Sequence, residues 1–232
     1  MIETPVGFHE AMLEALPNHI NPSDRVLDVG GWHAPLNRAD YVVDIMPYAT
    51  RNRNGALLKE VWPSERFSKD TFLPLDICRP EPWPFKDKFF DFVFCSNTLE
   101  DVRDPVRVCS EMVRVGRAGL IEVPSRLVES IKGVERPFYT GYYHHRWLCE
   151  VENNHIFFQF KPAMIHSYRR FHFVKPWYKR VNHERYGSAG FFWKESFQYS
   201  ERVLIERDEV QESLTQFKAK HGHLRDLFVH RF

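Results

Sequence analysis

The stretch Arg25-Val26-Leu27-Asp28-Val29-Gly30-Gly31 reads as a short apolar strand that ends in a carboxylate and continues directly into two glycines. Glycine tolerates positive φ and lets the backbone approach a ligand closely, so this turn is typical of a ligand-facing loop. A second strand-like run, Tyr41-Val42-Val43-Asp44-Ile45, also ends near an acid. Asp44 lies near the position at which α/β nucleotide sites carry a ribose-binding carboxylate. The two stretches predict a nucleoside-type cofactor at the carboxyl ends of parallel strands.

The acid before the glycine turn bears on which cofactor fits. Asp28 would repel a pyrophosphate, whereas it would attract the ammonium of a sulfonium amino acid. A Rossmann-type NAD enzyme would instead carry Gly-x-Gly-x-x-Gly with no preceding acid, and the turn has neither property. The turn therefore favours S-adenosylmethionine over NAD.

The order of apolar runs predicts an α/β fold. The elements follow in the order strand, connection, strand, helix and strand. This order predicts a Rossmann-like, doubly wound, mostly parallel sheet with an antiparallel edge strand. Asp104-Pro105 is a good helix start, and Gly116 suits the end of that helix. The predicted strands are 25–29, 41–45, 72–77, 89–95 and 120–123, and further helices are predicted at 7–16 and around 56–61.

The pattern changes after residue 140 and predicts an elaboration rich in β-hairpins at the C-terminal end. Residues 147–151 and 155–160 resemble a hairpin that turns at Asn153-Asn154. Residues 191–194 and 197–205 suit either a second hairpin or the antiparallel edge of the main sheet, and a final helix begins near Asp208.

The length of 232 residues suits a single domain, 1–232, in which 127–190 form a substrate-recognition insertion. No apolar run approaches the ~18 residues of a membrane span, so no transmembrane segment is expected. The N-terminus has no signal-peptide pattern, and the formal net charge is only +1. The four cysteines lack metal-ligand spacing. These properties predict a soluble cytoplasmic protein with reduced, mostly buried thiols.

Five stretches in order, over residues 24–126, resemble the class I S-adenosylmethionine-dependent methyltransferases, in particular the small-molecule methyltransferase domains. Each stretch alone is weak, but their order and spacing are fairly specific to that family. The stretches are Val26-Leu27-Asp28-Val29-Gly30-Gly31, Val43-Asp44, Leu75-Asp76-Ile77, Phe90 through Val102, and Leu120-Ile121-Glu122-Val123-Pro124.

The resemblance implies a role for each matching residue in holding S-adenosylmethionine. Asp28, with the backbone of Gly30 and Gly31, would hold the methionine moiety. Asp44 would accept hydrogen bonds from the ribose hydroxyls.

The same resemblance extends to the adenine end and to the loop after the fourth strand. Asp76 would reach the adenine amino group, and Ile77 would pack on the adenine ring. Asn97 would lie beside the methionine part, and Leu99 would support the loop that carries it.

The chain departs from the family pattern at two places. The family turn reads acid-x-Gly-x-Gly-x-Gly, whereas Trp32 and Ala34 stand at its later glycine positions. The bulk of Trp32 predicts either a shifted turn or a narrower cofactor pocket. The position after Ser96 is often histidine in this group, and here it is Asn97.

Candidate acceptor-side residues follow the fifth strand. His144 and His145 are the expected catalytic bases, because a histidine base suits a sugar or other hydroxyl acceptor. Arg126 and Arg146 suit an anionic substrate group, and Trp147 completes the predicted substrate-contacting set. No acid lies at ligand spacing from the two histidines along the chain, so no metal site is expected.

Several functions remain open from sequence alone. The leading one is methyl transfer to a small-molecule or glycan acceptor, with a hydroxyl as the methylated group. Residues 169–180 interleave basic and aromatic side chains, as single-stranded nucleic acid binding requires, so an RNA methyltransferase is a variant. Nucleic acid is disfavoured because the Asn/Asp-Pro-Pro-aromatic signature of base amino methylation is absent. A non-catalytic interaction protein that keeps the fold is the alternative from another class.

Overall fold

The computed structural model describes residues 10–52, 55–174 and 187–222. In these ranges the helices are α1 Glu10–Ala15, α2 Pro105–Val115, α3 Arg126–Glu129 and α4 Arg207–Gly222. The strands are β1 Val26–Val29, β2 Tyr41–Asp44, β3 Phe72–Pro74, β4 Phe90–Ser96, β5 Gly116–Pro124, β6 Trp147–Glu152, β7 His155–Phe160, β8 Ser188–Lys194 and β9 Gln198–Glu201.

The main sheet has the strand order β3-β2-β1-β4-β5-β8. The first five of these strands are mutually parallel, and β8 pairs with β5 in the antiparallel sense. The predicted α/β class, with a mostly parallel sheet and an antiparallel edge strand, is confirmed. Because the parallel strands share one direction, Asp28, Asp44 and Ser96 all lie at or near the same carboxyl edge of the sheet.

The helix after β4 begins where its sequence predicts. The Asp104 side chain accepts a hydrogen bond from the Arg107 amide, and Pro105 opens the helix. Gly116 is the C-terminal cap of this helix, as predicted; its amide donates to the Met112 carbonyl, and its backbone is extended (φ −105°, ψ 152°) and begins β5 directly. The helix therefore passes into the strand without a separate turn.

A second sheet has the strand order β6-β7-β9. The β6–β7 hairpin turns at Asn153 and Asn154, both in the left-handed region, so this prediction is confirmed. Residues 191–194 and 197–205 do not form a second hairpin. Instead β8 forms the predicted antiparallel edge of the main sheet, and β9 pairs in parallel with β7.

Both faces of the main sheet are covered. One face packs against α2 and the β6–β7 hairpin, in a core that includes Val93, Met112 and Phe158. The other face packs against α1 and the loop that carries Leu57. The short helix predicted around 56–61 is wrong, because Leu57 forms a parallel bridge to Leu36 instead.

The remaining predictions concern the third strand, the cysteines and two stretches that are only partly described. The third strand is shorter than the predicted 72–77 and ends at Pro74, which has no amide to continue a ladder. All four cysteines are buried free thiols. Residues 7–9 of the first predicted helix, and 175–180 of the basic and aromatic run, lie outside the described residues. No helix in the described part of the chain has the length and apolarity of a membrane span.

Candidate functional site

A cavity of about 1110 Å³ lies at the carboxyl edge of the main sheet. Its walls come from the loops after β1 to β4 and from the segment before β6. The predicted cofactor and acceptor residues that line it are Asp28, Gly30, Asp44, Asp76, Ile77, Asn97, His144, His145 and Arg146. Both halves of the predicted site therefore open into one space.

Asp28 is a buried carboxyl at the floor of this cavity. Its Oδ2 accepts a hydrogen bond of 2.8 Å from the Leu36 amide. A Cβ at Gly31 would lie 2.3 Å from the same oxygen, so only glycine leaves room for the carboxyl. Burial, which outweighs that hydrogen bond, raises the pKa of Asp28 to about 7. A cationic ligand group would stabilise the ionised form of this carboxyl.

The glycine turn packs tightly against the loop after β4. Gly30 has a φ of +84°, and a Cβ there would lie 2.1 Å from Thr98 Oγ1. The Gly30 amide also donates to the carbonyl of Val43 at 2.8 Å. Both the backbone conformation and the close approach therefore require glycine at this position.

Trp32 stands where the family carries a glycine, and it joins the turn to β2. Its amide donates to Asp44 Oδ2 at 3.1 Å, and its indole Nε1 donates to Thr50 Oγ1 at 3.1 Å. The other oxygen of Asp44 accepts from the Met46 amide at 2.8 Å. Each carboxylate oxygen keeps a lone pair for a further donor such as a ribose hydroxyl. Trp32 thus fixes the orientation of Asp44 and lines the cavity without filling it.

The predicted adenine-binding acid has a partner that the sequence does not reveal. Arg103 Nη1 lies 2.8 Å from Asp76 Oδ2, and Arg103 Nη2 donates to the Cys78 carbonyl at 2.9 Å. Slight burial would raise the pKa of Asp76, but the hydrogen bond and charge from Arg103 hold it below its usual value. Ile77 lines the cavity beside this pair.

The loop after β4 brings Asn97 to the cavity. Asn97 adopts the left-handed conformation, with a φ of +47°, which asparagine tolerates better than most residues. Its amide donates to the Glu122 carbonyl at 3.0 Å, which ties the loop to β5. Leu99 is fully buried in the core and is not among the residues that line the cavity, so its support of the loop stays a prediction.

A charged chain of contacts fixes the imidazole of His145. His145 Nδ1 lies 2.9 Å from Glu129 Oε1, and Lys161 Nζ lies 2.6 Å from Glu129 Oε2. Burial alone would raise the pKa of Glu129, but the hydrogen bond to His145 and the charge of Lys161 hold it below its usual value. Because an ionised carboxylate only accepts hydrogen bonds, Nδ1 of His145 donates to Glu129, which leaves Nε2 as the ring nitrogen on the side of Glu100.

Glu100 faces Nε2 of His145 and was missed by sequence reasoning. Its Oε1 lies 4.0 Å from His145 Nε2, and neither carboxyl oxygen has a hydrogen-bond partner among the described residues. Burial raises the pKa of Glu100 well above its usual range. The Glu100 carbonyl accepts from the amides of Arg146 and Trp147, which joins the loop after β4 to the segment before β6. Glu100 falls within a matched stretch, but nothing in the pattern marked it as a cavity residue.

His144 also lies among acids, which corrects the reasoning that no acid stands near the two histidines. Its Nε2 is 3.9 Å from Asp101 Oδ2, and its Nδ1 is 3.5 Å from Glu135 Oε2. Asp101, His144 and His145 can each offer a ligand atom within 4.8 Å of the others. Spacing along the chain did not show this cluster because two separate loops build it.

Two predicted substrate residues do not line the cavity. Arg126 is buried, pairs with Glu150, and donates from Nη2 to Ser213 Oγ at 3.0 Å. Its position on α3 directs it towards β6 and α4, so its role is structural. Trp147 packs in the core, and its Nε1 donates to the Val102 carbonyl at 2.7 Å. Trp147 supports the cavity wall from behind, and Arg146 alone of the three reaches the cavity surface.

The segment 127–190 contributes to the cavity through its loops. Strands β6 and β7 pack against the main sheet. The residues of this segment that line the cavity wall are Glu135, Tyr142, His144, His145, Arg146 and Gly187. Residues 175–186 of this segment lie outside the described part of the chain. The described loops of this segment thus form one wall of the cavity.

Comparison with known proteins gives a family match within the chain. Residues 40–121 match the model of a methyltransferase domain family. No curated protein matches the chain. The matched range covers β2 to most of β5, and so contains the predicted ribose and adenine acids together with the loop after β4.

Three solved structures illustrate the structural neighbours. The [4+2]-cyclase SpnF shares 15% identity over 50% of this chain and 45% of its own, with a TM-score of 0.37. A possible histamine N-methyltransferase of Thermotoga maritima shares 19% identity over 52% of this chain and 53% of its own, with a TM-score of 0.34. An S-adenosylmethionine-dependent methyltransferase of Mesorhizobium loti shares 14% identity over 65% of this chain and 64% of its own, with a TM-score of 0.34.

These matches span about half the length of the first two neighbours and somewhat more of the third. At such low identities and TM-scores they say nothing about substrate or partner.

Proposed function

We propose that this chain is a class I S-adenosylmethionine-dependent methyltransferase that methylates a hydroxyl group of a small-molecule or saccharide acceptor; the match of residues 40–121 to a methyltransferase domain family supports the first part. The observation that supports the proposal is the continuity of one cavity. Asp28 and Asp44 line its cofactor half, and His145 lines the same space.

The cofactor half fits S-adenosylmethionine in charge and shape. The buried carboxyl of Asp28 suits the amino acid ammonium, and Asp44 retains acceptor capacity for ribose hydroxyls. Asp76 and Ile77 offer an acceptor and an apolar surface for adenine. When bound, S-adenosylmethionine supplies an electrophilic methyl group on a sulfonium.

The protein's main contribution to methyl transfer is position. Holding the acceptor oxygen in line with the reacting bond can supply up to about 7–11 kcal/mol of the barrier. With S-adenosylmethionine held by Asp28, Asp44 and Asp76, His145 Nε2 would take the hydroxyl proton as the acceptor oxygen receives the methyl group, and S-adenosylhomocysteine would be released. A hydroxyl therefore needs the base that this cavity provides, whereas a carboxylate acceptor would need none.

The histidine is held in the orientation of a general base. Glu129 fixes the proton of His145 on Nδ1, and Lys161 keeps Glu129 ionised. The imidazolium that forms on proton uptake is stabilised by the same carboxylate. General-base assistance of this kind contributes about 10²–10⁴-fold in rate.

The surrounding acids favour an acceptor with several hydroxyls. Glu100, Asp101 and Glu135 line the same end of the cavity, and each can accept a hydrogen bond from a neighbouring hydroxyl. Arg146 adds a donor at the edge. This set suits a saccharide better than an apolar alcohol.

Transfer of tritium-labelled methyl from S-adenosylmethionine to a panel of mono- and oligosaccharides, small amines and small carboxylates tests the proposal. We expect label in at least one hydroxyl acceptor, and a fall of about 10²-fold or more in kcat for His145→Asn. His19→Asn is the matched control, because His19 is exposed, stacks on Phe192, and does not line the cavity. Equal rates for His145→Asn and wild type, or transfer confined to amine or carboxylate acceptors, would contradict the proposal.

A further inference from the structure

The acceptor end of the cavity gathers more electron-pair donors than a single base requires. Asp101 belongs to the loop after β4, and His144 and His145 belong to the segment before β6. These three residues offer ligand atoms that lie within 4.8 Å of one another. We propose that these three residues, with Glu100, form a binding site for a divalent transition-metal ion, and that Zn²⁺ suits it best.

Glu100 gives an independent observation in favour of a ligand here. Its side chain is only 1% exposed, and neither carboxyl oxygen has a hydrogen-bond partner among the described residues. Leaving a buried acceptor unpaired costs about 1–3 kcal/mol, so such groups usually meet a ligand, water or ion. The Asp101 side chain is partly exposed, but its Oδ1 atom is inaccessible and has no hydrogen-bond partner among the described residues. Of these unpaired oxygens, Glu100 Oε1 lies 4.0 Å from His145 Nε2.

The histidines are also arranged as metal-ligating histidines are. A ligating histidine commonly donates its second ring N–H to a carboxylate, which fixes the tautomer and the ring orientation. Glu129 does this for His145 at 2.9 Å, and Lys161 in turn holds Glu129. Glu135 Oε2 lies 3.5 Å from His144 Nδ1, which leaves Nε2 of His144 facing Asp101 Oδ2 at 3.9 Å.

The mixed ligand set decides the class of ion. Two imidazole nitrogens and two carboxylates suit Zn²⁺ and related first-row ions, whereas Mg²⁺ and Ca²⁺ prefer oxygen ligands alone. Zinc bonds of about 2.1 Å place tetrahedral ligands roughly 3.4 Å apart. The His144–Asp101 and His145–Glu100 separations are 3.9 Å and 4.0 Å, and those within Asp101, His144 and His145 are at most 4.8 Å, so binding closes the side chains by roughly 0.5–1.4 Å.

A bound ion has a defined consequence for the proposed reaction. It uses the Nε2 lone pair of His145, so the metal-bound form withholds the base from the acceptor hydroxyl. This consequence, regulation of the site by a metal ion, rests on the proposed function. The binding site itself rests only on the geometry of the four side chains.

Calorimetric titration of Zn²⁺ into chelator-treated, full-length protein tests the site, with Co²⁺ titration followed by visible absorption as a second readout. We expect one equivalent to bind, and His144→Ala and Asp101→Asn each to weaken binding at least about 10-fold. His19→Asn keeps wild-type affinity, because the exposed His19 lies outside the cluster. Mg²⁺ at the same concentrations gives no saturable heat.

Binding of S-adenosylhomocysteine to the same samples separates this inference from the proposed function. Wild-type protein that binds S-adenosylhomocysteine but takes up no stoichiometric Zn²⁺ overturns the metal site and leaves the methyltransferase proposal standing. Stoichiometric Zn²⁺ binding lost in both variants supports the site even when S-adenosylhomocysteine does not bind. Zn²⁺ binding that is unchanged in both folded variants also overturns it, since the ion would then bind elsewhere.

Discussion

The carboxylate of Glu129 contacts His145 Nδ1 at 2.9 Å through one oxygen and Lys161 Nζ at 2.6 Å through the other. All three side chains are buried, and they come from α3, the cavity wall and the segment after β7. The ion pair thus anchors the wall of the cavity to the second sheet and at the same time sets the tautomer of the proposed base. Stability and chemistry depend here on the same carboxylate.

We expect Glu129→Gln to lower the free energy of unfolding by about 3 kcal/mol or more, because it leaves the buried ammonium of Lys161 without its ionic partner. Urea denaturation measures the change. The double variant Glu129→Gln with Lys161→Met is expected to be less destabilised than the sum of the two single variants, because it removes both charges. Strictly additive losses would show that the two side chains do not interact.

Replacing the unpaired carboxyl of Glu100 is expected to stabilise the protein. Glu100→Met removes a buried group without a described partner, so we expect a gain of about 1 kcal/mol in the free energy of unfolding. Glu122→Met is the matched control, because Glu122 is equally buried but accepts hydrogen bonds from Ser96 and Ser188. Glu122→Met is therefore expected to destabilise. A loss of stability in Glu100→Met would mean that Glu100 has a structural role.

The pKa of Asp28 predicts how stability varies with pH. The pKa of Asp28 in the folded protein, about 7, lies above the ordinary value of 3.8. The folded state therefore favours the protonated carboxyl, and the stability that this form contributes is lost as pH rises through about 7. We expect Asp28→Asn, which stays neutral, to gain stability relative to wild type as pH rises from about 5 to about 8. Thermal unfolding across this range measures the difference. A difference that stays constant with pH would contradict the raised pKa.

The same carboxyl links S-adenosylhomocysteine binding to proton release. The ligand ammonium favours ionised Asp28, whereas burial and the nearby Asp44 favour the neutral form. We expect wild-type affinity to rise with pH up to about 7, and the rise to be absent in Asp28→Asn. Calorimetry in buffers of different ionisation enthalpy counts the protons released. Proton uptake on binding would be the opposite of the expected sign.

A ligand fragment distinguishes the roles of the two cofactor acids. 5′-Methylthioadenosine has the ribose and adenine but lacks the amino acid part, so its binding is expected to be weakened by Asp44→Ala and unaffected by Asp28→Asn. Asp44→Ala removes the hydrogen bonds between the ribose hydroxyls and the charged carboxylate, which we expect to raise the Kd for 5′-methylthioadenosine about 10-fold or more. Equal weakening by both variants would mean that Asp28 acts through the structure of the turn.

Local sequence patterns were sufficient for the parallel strands and for the acids at their ends. Asp28 and Asp44 were predictable because each follows a short apolar run directly, and the carboxyl edge of a parallel sheet brings such positions together. Trp32 departs from the family's glycine pattern, and the sequence did not show how the turn accommodates it. The indole donates a hydrogen bond to Thr50 Oγ1, a contact that no local sequence pattern indicates.

Side-chain contacts between separate parts of the chain could not be predicted from the sequence. Arg103 meets Asp76, and Glu129 meets Lys161, only after the chain has folded, so nothing in their spacing indicates either pair. Arg126 was expected at the substrate because it follows β5, but α3 turns it into a buried ion pair with Glu150. The helix expected around 56–61 gave way to a bridge between Leu57 and Leu36, because burial of Leu57 against the sheet outweighs local helix preference.

The central claim is that the cavity at the carboxyl edge binds the methyl donor through Asp44. Calorimetric titration of S-adenosylhomocysteine into wild-type protein and Asp44→Ala tests it most directly. We expect a single site of about micromolar Kd in wild type, weakened about 10-fold or more in Asp44→Ala, which loses the carboxylate that Trp32 orients. A folded wild-type protein that binds no S-adenosylhomocysteine, or equal binding by both proteins, would contradict the claim.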